Sequence, residues 1–265
     1  MVNSEVSKNP RGKNSLTAVR GGDRTRTILI QVGVAAVLIA LIAAIGISIA
    51  VKQSNKSKQE AIDTVPSISA KPSSPDAVTG SITDKGEIKI GKPGAKVDIR
   101  VIADLQCPAC KMFETANSKA IEDAVNAGTA SVRYNIIAFL DQSSGGTRYS
   151  SRASNAAYCV AESDPTKFLP WLTTMYEQQP PEGGTGLPDD KLVQIAQAAG
   201  YTDPAVAQCI TSDKYDKYVQ KVTKDVLNSG IKSTPTVYVD GKQITSSQQL
   251  MQPDGLRPVI EAAAK

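Results

Sequence analysis

From Ile28 to Val51 the chain reads ILIQVGVAAVLIALIAAIGISIAV, twenty-four residues without a charge and with only Gln31 and Ser48 clearly polar. At about 1.5 Å rise per residue this run is longer than the roughly 30 Å apolar thickness of a bilayer, and it predicts one tilted transmembrane helix. A buried core helix of such length would carry a polar stripe. A cleaved export signal is the stronger rival, because Ser48 and Ala50 resemble a small-residue cleavage site, but its apolar core would be only about 7–15 residues long. The expectation is therefore an uncleaved single-pass anchor over residues 28–51, with a basic N-terminus at 1–27 before it.

Charge supports this division. Lys8, Arg11, Lys13, Arg20, Arg24 and Arg26 outnumber Glu5 and Asp23 before the run, which accounts for the whole net charge of +4. The rest of the chain is balanced, so it offers no field for nucleic acid. Lys52, Lys56 and Lys58 follow the run, so the positive-inside rule favours a cytoplasmic N-terminus only modestly. Cysteine use decides the side. Of four cysteines, Cys107 and Cys110 are close in sequence, whereas Cys159 and Cys209 stand far apart. A distant pair serving as a structural bridge needs an oxidising compartment, which puts residues 52–265 outside the cytoplasm.

Residues 52–80 are rich in Ser, Lys and Pro without an apolar period, and they read as a flexible linker. Folding signals begin near Ser81. Glu87–Ile90 and Val97–Asp104 read as strands around a Gly91–Gly94 turn. Phe113, Ala116, Ala120, Ile121, Ala124 and Val125 then share a helical face that Gly128 ends. Ala130–Phe139 reads as a strand. A helical tract over 148–230 is broken at Pro165, at 178–188 and at Gly200. Thr236–Val239 and Lys242–Thr245 form a hairpin across Asp240–Gly241, and a helix over Gly255–Ala264 closes the chain. The order predicts an α/β domain, 81–147 and 231–265, with a helical domain at 148–230 inserted between its halves.

The chemistry concentrates at Cys107-Pro108-Ala109-Cys110, where an apolar strand meets an amphipathic helix. Pro108 suits a first helical turn. Cys107 then lies at the helix N-terminus, whose unpaired N–H groups stabilise a thiolate. Cys110 points inward one turn on, within reach of a disulfide, and a stabilised Cys107 thiolate leaves readily. Half a zinc site is the competing reading. The chain has no histidine, so Cys159 and Cys209 would have to complete it, and they form no second close pair. No metal or cofactor is expected. A purely structural Cys107–Cys110 disulfide is the other alternative. Cys159 and Cys209 have helical apolar neighbours and read as a structural disulfide, against two free thiols or a shuttle pair. Asp104, three residues before Cys107, is either a solvated or capping strand-end carboxylate or a group that moves protons at Cys110. Lys111 and Glu114 read as surface residues, and Phe168, Trp171 and Tyr176 as packing.

Taken together, the strand–CPAC–helix unit, the helical block and Ser233-Thr234-Pro235-Thr236 before a strand resemble the thioredoxin superfamily. The DLQCPAC context resembles its DsbA-like branch, including actinobacterial membrane-anchored members. The resemblance spans roughly 84–264 and implies a thioredoxin-like α/β fold with an inserted helical domain. It implies that Pro235 is cis beside the active pair, and that Thr234 and Pro235 form a ledge for an extended substrate peptide. It also implies disulfide donation from Cys107–Cys110 to reduced exported proteins, with re-oxidation by a quinone-linked membrane partner of the DsbB or vitamin-K-epoxide-reductase type. A reductase or isomerase of the same fold, or a non-catalytic surface binding module, are the alternatives. The best-known oxidases of the branch carry His where this chain has Ala109, so Cys107 is expected to be less acidic than in them (about 3.5).

Overall fold

The computed structural model describes residues 64–68, 74 and 76–265. The N-terminus 1–27, the anchor 28–51 and most of the linker lie outside the described residues. Among the described residues no helix is long and apolar enough to cross a membrane.

Six strands form one sheet: β1 (Thr79–Ile82), β2 (Ile88–Gly91), β3 (Val97–Ala103), β4 (Ala130–Ile136), β5 (Thr236–Val239) and β6 (Lys242–Ile244). Their spatial order is β1-β2-β4-β3-β5-β6. Only β3 and β4 run parallel, with Val97 opposite Ala130 and Ala103 opposite Ile136; the other pairs are antiparallel. A parallel pair needs a long crossover, and α1 (Pro108–Ala127) supplies it. Cys110, Phe113, Asn117, Ala120, Ile121 and Val125 bury one face of α1 at the helical period. Gly128 ends it at φ 78°, with the Thr129 N–H returning to the Ala124 carbonyl; a left-handed residue there favours glycine.

Between β4 and β5 come α2 (Tyr149–Ser163), α3 (Phe168–Glu177), α4 (Asp189–Ala198), α5 (Pro204–Thr211) and α6 (Asp216–Asn228). They share a continuous apolar core with the sheet and α1. Helix α3 packs against α1, and α2 against α5 and α6. Cys159 of α2 and Cys209 of α5 are joined in a disulfide with 5.8 Å between Cα atoms. Phe168, Trp171 and Tyr176 are buried within this block.

Several boundaries differ from the sequence reading. Strand β1 begins at Thr79, inside the stretch read as linker, because pairing with β2 and the packing of Gly80 on Pro165 hold it. Strand β4 stops at Ile136, because after the Ile137 N–H bonds the Ala103 carbonyl the chain turns and the Leu140 N–H bonds Asp104. The closing helix read at 255–264 forms as α8 (Arg257–Ala263), and a short helix not read from the sequence, α7 (Ser247–Met251), precedes it after a break. Buried Asn117 fixes that break: its carboxamide donates to the Leu250 carbonyl at 2.9 Å and accepts from the Leu256 N–H at 2.8 Å. The hairpin forms as read, with Asp240 and Gly241 both at positive φ.

Candidate active site

Strand β3 delivers Asp104, Leu105 and Gln106 into a buried turn, and Cys107 caps α1 with Pro108 at its first position. The Cys107 N–H bonds the Asp104 carbonyl at 3.0 Å, and the Cys107 carbonyl accepts from Cys110 and Lys111 at 3.1 and 3.2 Å. Gln179, beyond α3, donates its carboxamide N–H to both the Leu105 and Cys107 carbonyls at 3.0 Å. The turn is thus tied to the inserted helices, a link that no local pattern announces.

Both active-pair sulfurs are free thiols. Cys107 retains 7% of its exposure and Cys110 only 1%, so an incoming thiol meets Cys107 first. The Cys107 thiol is lowered to about 6, chiefly by the Cys110 thiol donating to it. Burial opposes this, and the Thr234 hydroxyl and the N–H groups of Cys110 and Ala109 add to the lowering. Burial, followed by the neighbouring Cys107 sulfur, drives Cys110 well above the ordinary thiol range. One sulfur is therefore made to ionise and its neighbour to stay protonated.

The Thr234–Pro235 bond is cis. The Cys107 thiol lies 3.4 Å from the Thr234 carbonyl. The Thr234 hydroxyl is buried with no other hydrogen-bond partner, which leaves it available to the ionised sulfur. Thr234 and Pro235 remain partly exposed beside exposed Pro108. The structure therefore brings Cys107, Cys110, Pro108, Ala109, Thr234 and Pro235 together, and it keeps Cys159 and Cys209 apart from them in the helical block.

Asp104 is fully buried, not a solvated strand end. It accepts from the N–H groups of Gln106 and Leu140 and from the Ser150 hydroxyl, each at 2.8 Å. Burial raises its carboxyl to about 6 despite these donors. The reading of Glu114 as a surface residue is wrong: it is 2% exposed. It lies four residues after Cys110 on the buried face of α1, where α3 covers it. Lys111 is half-buried, its ammonium donating to the Glu177 carbonyl at 3.2 Å. No group of residues suited to a metal ion occurs among the described residues.

The thioredoxin family model matches residues 83–262. Among curated proteins the chain is similar to the serine/threonine-protein kinase PknE of Mycobacterium tuberculosis, at 30% identity over 180 residues. That match covers 65% of this chain and 31% of the kinase, so the chain spans about a third of the length of that relative. Disulfide bond formation protein D of Bacillus subtilis is 24% identical over 192 residues, covering 72% of this chain and 82% of that protein. Among solved structures, oxidised DsbA of Mycobacterium tuberculosis superposes with a TM-score of 0.53 at 30% identity, over 71% of this chain and 97% of that one.

Proposed function

The chain belongs to the thioredoxin family, as a DsbA-like protein dithiol–disulfide oxidoreductase, and from that premise we propose that it puts disulfides into exported proteins. A substrate thiolate attacks Cys107 of the oxidised pair. The Cys107–Cys110 bond breaks and its electron pair leaves on Cys110, which is then protonated. The substrate's second thiolate attacks the substrate sulfur of the mixed disulfide, expelling Cys107 as a thiolate. The substrate is oxidised by two electrons and the pair is reduced to the dithiol. Thr234 and Pro235 supply the ledge on which an extended substrate lies. Asp104, buried beneath Cys110, exchanges protons with it.

The asymmetry of the two thiols is the observation that carries this reading. Cys107 titrates near 6 at a helix start, whereas Cys110 is held protonated. A stabilised leaving thiolate favours the dithiol form and makes the disulfide oxidising. Renewed turnover requires an electron acceptor, and a quinone-linked membrane protein of the DsbB or vitamin-K-epoxide-reductase type fits a catalyst anchored through residues 28–51. On this reading the N-terminus is cytoplasmic and residues 52–265 lie outside.

The test is to equilibrate the full chain with redox buffers and to mix the oxidised form with a reduced model protein. A potential of about −120 to −180 mV with disulfide transfer is expected, and one near −270 mV would make the protein a reductase.

A further inference from the structure

The Cys159–Cys209 disulfide joins α2 to α5, and both of its cysteines line a cavity of about 460 Å³. Glu162, Asp203, Gln208 and Lys214 line the same cavity and are exposed or half-buried, so it opens to solvent. The two cysteines face it unequally. Cys209 retains 7% of its exposure, as much as Cys107, whereas Cys159 retains 2%. A thiol that enters the cavity therefore meets Cys209 first.

Size and charge define what enters. The volume is that of a small-molecule site. Its lining comes from helices and the segments that flank them, so it offers no strand edge for an extended peptide, unlike the ledge beside Cys107. Lys214 pairs with Glu162 at 2.7 Å, and Asp203 caps the start of α5 by accepting from the Ala205 N–H at 2.9 Å. Each carboxylate is thus offset, by an ammonium or by a helix N-terminus, and a small thiolate is not repelled.

Buried Asn155 of α2 lets the bond open without loss of the fold. Its carboxamide N–H groups donate to the Cys209 and Ile210 carbonyls at 3.3 and 3.2 Å, and its oxygen accepts from the Tyr215 N–H at 2.8 Å. These bonds hold the last turn of α5 to α2 whether or not the sulfurs are joined. The same oxygen lies 3.9 Å from the Cys159 sulfur, where a protonated Cys159 donates to it.

We propose that Cys209 is a modification site for low-molecular-weight thiols, at which the second disulfide opens reversibly in the folded protein. A small thiolate forms a bond to the Cys209 sulfur. The Cys159–Cys209 bond breaks, its electron pair leaves on Cys159, and that sulfur takes a proton from solvent in the cavity. The products are a mixed disulfide at Cys209 and a free thiol at Cys159. In the reverse direction the Cys159 thiolate attacks Cys209 and expels the small thiolate.

The experiment uses the full chain carrying Cys107→Ser and Cys110→Ser, so that Cys159–Cys209 is its one disulfide. It is treated with 2-mercaptoethanol, quenched by acid, alkylated and read by peptide mass. The adduct is expected on Cys209 and the alkyl group on Cys159. The rate should be proportional to thiolate concentration and change less than about twofold up to roughly 1 M urea. A reduced model protein at the same thiolate concentration should open the bond about a hundredfold more slowly. Ala205→Trp and Ser212→Trp, which fill the cavity from exposed positions, should each slow 2-mercaptoethanol about tenfold. An adduct on Cys159, or a rate that saturates with thiol and climbs steeply with urea, would overturn the proposal. So would opening by the reduced protein at the rate of the small thiol, or full-rate opening in both folded Trp variants.

Discussion

Ala109 leaves Cys107 without an imidazole neighbour, so the acidity of that sulfur comes from the Cys110 thiol, the Thr234 hydroxyl and two backbone N–H groups. Alkylation of the dithiol form by iodoacetamide should accordingly inflect at about pH 6, and Ala109→His should move the inflection lower. An unchanged inflection in that variant would mean the helix start alone sets the acidity. The roles of Cys107 and Cys110 could be argued from the sequence because a CxxC between strand and helix has few other uses. Glu114 could not be read the same way. A glutamate in an amphipathic helix looks like a surface residue, and Thr173 and Tyr176, which bury it, lie some sixty residues further on. Its burial has a thermodynamic signature. The folded carboxyl is raised to about 7 from 4.5, so the folded state holds a proton that the unfolded chain has released. Stability from this group is complete below about pH 4.5 and is lost as pH rises through 7. Glu114→Gln should match wild type near pH 4 and exceed it by roughly 1–3 kcal/mol near pH 8, measured by urea unfolding. Equal pH dependence in both proteins would show that Glu114 titrates normally.

At the scale of elements, what was legible is what local chemistry dictates. Pro108 and Gly128 bracket α1, Asp240-Gly241 turns the β5–β6 hairpin, and alternation marks β3 and β4. Strand β1 and helix α7 escaped because each is too short to show a period and depends on distant partners, Gly80 against Pro165 and Asn117 against Leu250 and Leu256. Asn117→Ala would leave the Leu256 N–H and Leu250 carbonyl without their buried partner, and should cost about 1–3 kcal/mol. The cost should appear as faster hydrogen exchange in residues 250–263 before the rest of the domain. The Cys159–Cys209 bond acts over a longer range, joining α2 to α5 across fifty residues of sequence. The double variant Cys159→Ser, Cys209→Ser should lose about 4 kcal/mol in the chain-entropy picture. Its rate of exchange at Cys107 should stay near wild type, since neither residue lies with the active pair. A large loss of exchange in a folded double variant would give this second disulfide a part in the chemistry.

For the whole molecule, the acidity of one sulfur sets which redox form is the more stable. Reducing the pair creates the Cys107 thiol, whose folded value of about 6 lies below the 9.0 of an unperturbed thiol. A depressed acid stabilises the folded dithiol most above the unfolded value, and this contribution is lost as pH falls through 6. At pH 7 it amounts to about 1 kcal/mol and grows toward pH 9. The oxidised form has no thiol to ionise and gains nothing. With the Cys159–Cys209 bond kept intact in both forms, the dithiol protein should therefore melt above the disulfide protein at pH 8. The gap should shrink on titration to pH 5, by roughly 2–4 °C for each kcal/mol at this chain length. Such an ordering would make folding itself the drive for donating the disulfide, because the enzyme becomes more stable as the substrate is oxidised. Differential scanning calorimetry of the two forms across that range decides the matter: a disulfide form that melts higher at every pH would describe a protein built to accept electrons from its partner and pass them to substrates as a reductase.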